Sequence, residues 1–293
     1  MKKYLMKRLL YLLFVLFCVT VFSFGVTTLA PGNPADMGVG RNAPFLLRYI
    51  AWLRIILIGP PSGVIWPYSA TLSTFAQLLP GTLRLISASL FAIVIVSIPL
   101  GMLSAIKKNS AFDYFIRFIS FFGISIPNFA IGFFLLYTFA VALSWFPVIG
   151  DGGMRNMVLP VCALSIPLVS RNTRQIRGVV LEELNQEYIT GATARGVRRW
   201  RIVCFHILPN TIPSMFGFLN VLIGHLLGGA VIIETVFIWK GIGTLATNAI
   251  RNLNYPVIQS YVLWMAILYI CSSFILDVVY HLTDPQFRRR RTG

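Results

Sequence analysis

At 293 residues, 57% hydrophobic and only 12% charged, the chain is far more apolar than a soluble domain of average usage, which excludes a soluble enzyme and points to a membrane protein. A net charge of +16 could suggest nucleic acid, but the charges gather on no single soluble face, so membrane lipid and no nucleic-acid partner is expected. Four scattered cysteines, Cys18, Cys162, Cys204 and Cys271, imply neither a disulfide framework nor a zinc site.

In chain order, Lys2, Lys3, Lys7 and Arg8 precede an apolar run from Leu9 to Leu29. A cleaved signal peptide would have an apolar region of about 7 to 15 residues. This run is long enough to cross a bilayer and is expected to be the first transmembrane helix, with its N-terminus inside. Ala30 to Asn42, rich in Gly, Pro and Asn, ends it. Phe45 to Ile58 is apolar but short and is interrupted by Arg48 and Arg54. At about 2.5 to 3.5 kcal/mol per central arginine, a surface amphipathic helix is expected there rather than a span.

Gly59 to Ser73 reads as a turn-rich linker, and residues 1–78 are expected to form one unit ahead of a transmembrane core at 79–283 and a basic tail at 284–293. The second span is expected at 83–106, entered through Leu79-Pro80-Gly81-Thr82-Leu83 and bent by Pro99 and Gly101. After a polar turn with Lys107, Lys108 and Asp113, the third span, about 116–143, contains Ser125-Ile126-Pro127-Asn128. Pro127 frees a backbone carbonyl and Asn128 places an amide at membrane depth, so both should face protein or a water-filled cavity. Either a pathway-lining kink or a packing kink satisfies that requirement.

Trp145-Phe146-Pro147 and Gly150 to Gly153 mark an outer turn with an interfacial aromatic. The fourth span, 158–175, holds Pro160 and Pro167 and runs into Arg171, Arg174 and Arg177, which are expected to emerge on the inner side. In the fifth, 212–237, Gly224 and Gly228 form a small-xxx-small pair to which Gly229 adds, a pattern for close helix packing. His225 reads as a hydrogen-bonded packing histidine before a substrate ligand. Glu234, near the outer end, is either held by the following turn or lines an outer gate. The sixth span is expected at 257–280, where Asp277 reads as a partner of inner arginines rather than a proton relay.

The polar stretch from Glu182 to Pro213 separates two long apolar runs. It is expected to open as a helix with Glu182, Glu183 and Glu187 in its early turns, near the positive end of the helix dipole. Thr190, Gly191, Ala192 and Ala194 then carry almost no side chain, and Gly196 suits a C-terminal cap because it takes positive φ without steric penalty. Arg198, Arg199 and Arg201 surround Trp200, and a second amphipathic helix is expected to stop at Pro209 or Pro213. The product would be a helical hairpin with a small-residue tip and a basic flank.

Of the 25 basic residues, 18 fall in segments expected inside and 7 outside, which places the hairpin in the cytoplasm. No Gly-x-x-x-x-Gly-Lys-Ser/Thr loop is present to cradle phosphates, and the spans lack the run of carboxylates or histidines expected of a proton-driven carrier.

The hairpin resembles the loop of binding-protein-dependent ABC importer permeases, Glu-Ala-Ala, three residues, Gly, nine residues, Ile-x-Leu-Pro. It aligns without a gap on Ala192, Gly196, Leu208 and Pro209, with Thr190, Gly191 and His206 departing from it. Tyr188, Ala192, Ala194, Arg195 and Gly196 follow the form of the peptide and nickel branch. Further resemblances lie at Pro31-Gly32-Asn33-Pro34, Leu79 to Leu83, Ser125 to Asn128, Glu234 to Gly243, Asn254 to Gln259 and the Asp284-Pro285 ending. Asn33, Lys240 and Asn254 depart from the branch pattern.

The resemblance implies an all-α polytopic fold of six transmembrane helices, the type I importer permease fold, with both termini cytoplasmic in a bacterial inner membrane. It implies a permease subunit for peptides, nickel or metal chelates, without enzymatic activity of its own. Its partners would be a second homologous permease subunit, two ATPase subunits that carry ATP and Mg, and an extracytoplasmic substrate-binding protein, so no cofactor or metal is expected on this chain. The coupling loop, 182–210, would act through Tyr188, Thr190, Gly191, Ala192, Ala194, Arg195, Gly196, Arg198, Arg199, Leu208 and Pro209. A secondary transporter or channel is the alternative, against which the scarcity of intramembrane charge counts.

Overall fold

The computed structural model describes residues 2–29, 43–58, 68–148 and 153–283. The Pro31-Gly32-Asn33-Pro34 motif, residues 59–67 of the expected linker, Gly150 to Gly152 and the tail from Asp284 lie outside them, and the rest of that linker, from Tyr68, is helical. Among the described residues there is no strand. The helices are α1 (Lys2–Leu29), α2 (Phe45–Ile58), α3 (Tyr68–Ile106), α4 (Ala111–Ser125), α5 (Asn128–Leu135), α6 (Met154–Leu184), α7 (Glu187–Ala194), α8 (Arg199–Ile202), α9 (Leu208–Val236), α10 (Ile242–Arg251) and α11 (Tyr255–Thr283).

Four helical stretches are long and apolar enough to cross a membrane: Met6–Val26, Thr74–Ile106, Arg199–Val236 and Val257–Val279. The third expected span is not one straight helix. Ile126, before proline, is driven into extended backbone (φ −95°, ψ 126°), and α4 and α5 meet at 98°. Together they make a fifth apolar span if counted as one.

α6 carries three arginines and two glutamates along its second half and is not apolar enough to join that set. It packs instead against α3, α4, α5 and α9 and buries Ser165, Ser170, Asn172 and Thr173 among them, while Arg171 and Arg174 stay exposed.

Several expected boundaries are corrected. α3 begins at Tyr68, so it crosses the expected unit boundary at residue 78 and runs as one helix through Pro80, Pro99 and Gly101. The second hairpin helix does not stop at Pro209 or Pro213 but runs into α9. Its passage is a wide turn over Val203–Ile207, closed by the Leu208 N–H on the Val203 carbonyl. Such a turn relaxes the i−4 spacing at which a proline ring clashes with the preceding carbonyl.

α2 is not a free surface helix. Tyr49 and Trp52 are buried against Phe24 of α1, the Tyr49 and Thr20 hydroxyls lie 2.8 Å apart, and Trp52 Nε1 donates to Gln259 Oε1 of α11 at 2.7 Å. Asp277 of α11 accepts from Arg8 Nε of α1 at 2.6 Å, the arginine pairing read for it from the sequence.

The main core gathers Leu85 and Ile93 of α3, Ala163 and Leu164 of α6, and Leu226 and Ile233 of α9. A second core lies under the hairpin. There Ile189, Ala192, Ile202 and Ile207 close over Ala105, Ile176, Val180 and Met215.

Candidate functional site

The hairpin is built by α7, α8 and the wide turn before α9. Gly196 stands at φ +75°, its N–H donates to Thr193 O at 2.9 Å, and the Val197 N–H reaches Ala192 O at 3.2 Å. These two bonds are the Schellman end of α7. Only one side of the tip is packed. Ala192 is buried, whereas Thr190, Gly191, Ala194, Arg195, Gly196, Arg198 and Arg199 are exposed, and nothing lies within 4 Å of a Cβ placed at Gly191 or Gly196. Leu208 is half-buried and Pro209 exposed where α9 begins.

Glu182 and Glu183 are not in an early turn. α6 runs on to Leu184, so they occupy its last turn, where the helix dipole disfavours a carboxylate. Side-chain donors compensate at Glu183: the Tyr188 hydroxyl donates to it, and Asn210 Nδ2 donates to Glu183 Oε1 at 3.1 Å and to Tyr188 Oη at 2.8 Å. Partial burial, and then the bond to Glu183, push the Tyr188 phenol above its ordinary range, so it stays a donor. This triad joins the ends of α6, α7 and α9.

Two further ties reach the α3–α4 turn, one from the hairpin and one from α6 beneath it. Arg199 Nη2 donates to Ile106 O at 2.8 Å. Beside it, Arg177 makes two 2.7 Å bonds to the two oxygens of Asp113, which also accept from Ser104 Oγ at 2.5 Å and the Asn109 N–H at 3.1 Å. Asp113 is fully buried. Sequence reading saw only a polar turn there. The signal it passed over is Ser110 three residues before Asp113, a helix-start spacing in which the Ser110 hydroxyl accepts from the Asp113 N–H.

At the opposite end of the bundle, Glu234 is fully buried. Thr82 Oγ1 donates to its Oε1 at 2.6 Å and the Gly243 N–H to its Oε2 at 2.7 Å, while the Ile242 N–H donates to Thr82 Oγ1 at 2.9 Å. A Cβ at Gly241 would stand 2.4 Å from the Glu234 carboxyl group, so the glycine makes room for the carboxylate.

Between these ends runs a polar track. Pro127 is exposed, and Asn128 lies on α9 at Gly229, where a Cβ would come within 2.9 Å of Asn128 Nδ2 and 2.8 Å of Leu164 Cδ1. The close helix approach is therefore at Gly229. Gly224 touches only the Tyr269 ring, at 3.4 Å, and Gly228 has no neighbour within 4 Å and is exposed. One turn along from Gly229, His225 Nε2 meets Arg171 Nη1 at 2.5 Å. Arg171 is thus not clear of the helices on the inner side, as expected from the sequence, but level with the middle of α9. One turn further, Arg174 shares a cleft with Arg117, Tyr114, Phe118 and Phe121.

The family model for binding-protein-dependent transport system inner membrane components matches residues 97–289, which hold the Asp113 tie, the polar track, the hairpin and the Glu234 turn. The chain belongs to that family. Along its whole length this transport component is similar to named relatives. It is 29% identical to the oligopeptide transport system permease protein AppB of Bacillus subtilis, over 98% of this chain and 99% of that one. It is 30% identical to the glutathione transport system permease protein GsiC of Shigella flexneri, over 98% and 99% respectively. Among solved structures, a chain of the MetNI methionine ABC transporter in an inward-facing conformation superposes with a TM-score of 0.63 at 17% identity, covering 73% of this transport component and 97% of that chain. That match establishes the type I importer permease fold.

Proposed function

We propose that the chain is one permease subunit of an ATP-driven importer of peptides, with six spans and both termini on the cytoplasmic face of a bacterial inner membrane. The sixth span in this reading is α6, in which Arg177 is paired with Asp113 and the exposed Arg171 and Arg174 would face a water-filled pathway. A second homologous permease, two ATPase subunits bearing ATP and Mg, and an extracytoplasmic binding protein complete the assembly. This chain contributes no catalysis and holds no cofactor.

The observation that carries the reading is similarity over 98% of the chain to permeases named for oligopeptide and glutathione transport. The hairpin supports the coupling part of it: one side is packed on α3, α6 and α9, and the other is small, basic and open. ATP can shift the helices between inward-open and outward-open states only through contacts that differ between those states. The residues from Tyr188 to Arg199, with Leu208 and Pro209, are the surface where the ATPase subunits would make them. Asn128, with Pro127, would line the pathway, and Glu234 would hold its outer end together.

The test is uptake of a radiolabelled dipeptide and of radiolabelled nickel in cells lacking the gene and in cells with it restored. Loss and recovery of dipeptide uptake alone is the expected result. Recovery of nickel uptake alone would overturn the substrate class.

A further inference from the structure

Arg171 and His225 meet from α6 and α9, and both are exposed on the single chain. A guanidinium has donors and no acceptor, so His225 Nε2 is the accepting nitrogen and the positive charge stays on Arg171. Among the described residues the ion pairs are Arg8 with Asp277 and Arg177 with Asp113, which leaves Arg171 without a carboxylate.

At 1.5 Å per residue His225 lies about 17 Å along α9 from its end at Val236, near the middle of an apolar layer about 30 Å thick. A charge at that depth faces protein or water rather than lipid, and it marks a substrate path more often than a packing surface. The surroundings fit water and substrate. Gly228, exposed and without neighbours, leaves room on the same face of α9, and Asn128 lies one turn from His225 at Gly229.

We infer that Arg171, oriented by His225, is a binding position for the carboxylate of a peptide in transit along the exposed face where α6 and α9 meet. The inference rests on the peptide reading above. A guanidinium presents two parallel N–H donors that match a carboxylate, and the bond to His225 holds it while a second edge stays free. Every peptide carries a terminal carboxylate whatever its side chains, so such a position would serve many sequences. Arg174, one turn on, would receive the anion next.

The experiment uses the complete importer in proteoliposomes, with labelled dialanine and labelled pentaalanine as probes and two readouts, peptide delivered and ATP hydrolysed. Arg171→Gln is expected to lower peptide delivered per ATP by about tenfold, the value of one charge-assisted hydrogen bond, with ATP hydrolysis within twofold of the parent. Arg171→Lys, which keeps the charge, should stay within about threefold, and His225→Phe, which removes the positioning bond, should fall between them. Unchanged delivery per ATP in Arg171→Gln overturns the inference and leaves the peptide reading standing. Equal loss of assembled complex in Arg171→Gln and Arg171→Lys also overturns it, by assigning the arginine to the contact with the second permease. A parent complex that moves neither probe overturns the peptide reading, and this inference with it.

Discussion

Two of the helix ends that close through an αL residue share one backbone geometry and differ in nearly everything else. α7 is closed off at Gly196 and α9 at Ile238, each an αL residue with the same pair of closing bonds, 196 to 193 with 197 to 192, and 238 to 235 with 239 to 234. At Gly196 the backbone is relaxed and the space around it empty. At Ile238 a β-branched residue sits at φ +51°, a conformation that costs about 1 to 2 kcal/mol. The strained end persists because its surroundings over-determine it. Trp239 is buried and donates to Gly81 O at 3.0 Å, and Glu234, Thr82 and Gly243 close beneath it. The hairpin end is open to its surroundings, and the opposite end is closed in on itself.

The largest expected effect comes from removing what holds the strained end. Glu234→Ala leaves the Thr82 hydroxyl and the Gly243 N–H without their acceptor and opens a void, at a cost of about 3 to 5 kcal/mol. A fall in the detergent-solubilised melting temperature would register it; a shift no greater than that of a surface substitution would break the comparison. Asp113→Ala should come next, at about 3 kcal/mol, because it strands the Arg177 guanidinium at the tie under the hairpin. Here the melting temperature should fall together with ATP-coupled uptake.

Gly196→Val separates the two ends more sharply. Its stability cost is only about 1 to 2 kcal/mol, since nothing crowds the site, yet uptake per ATP should be largely lost because the tip changes shape. Intact coupled uptake in this variant would remove the hairpin from the coupling assignment. The smallest effect is a gain: Ile238→Gly relieves αL strain and should stabilise by under about 1 kcal/mol, the loss of a half-exposed side chain offsetting part of the relief. A destabilisation would mean that the Ile238 side chain is itself held, by packing or by a partner.

The same contrast explains what was legible beforehand. Gly196 could be read because glycine is the residue an αL cap usually takes, and Ile238 could not, because isoleucine seldom adopts that conformation. The break at Pro127 was legible as a kink, since proline constrains the residue before it, but its 98° size was not. Asp277 could be assigned an arginine but not which one; Arg8 lies 269 residues away in the chain. Pro209 misled because the wide turn before it absorbs the clash that would otherwise end the helix, and Pro213 is simply carried inside α9. α10 was not anticipated although Ile242, Ala246 and Ala249 recur at helical spacing, because most of it lies between two motifs in a stretch too short to read as a span.

By itself the sequence determined that the chain is a membrane protein, where its apolar runs lie, and that a small, glycine-capped, basic hairpin interrupts them. Those properties follow from local composition and from what each residue permits its own backbone. Only the tertiary structure decided that Gly229 rather than Gly228 receives a neighbouring helix, that Glu234 is enclosed, and that Arg171 stands beside His225. Each of these depends on the rotation and stagger of one helix against another, which is set by side-chain packing between segments far apart in the chain.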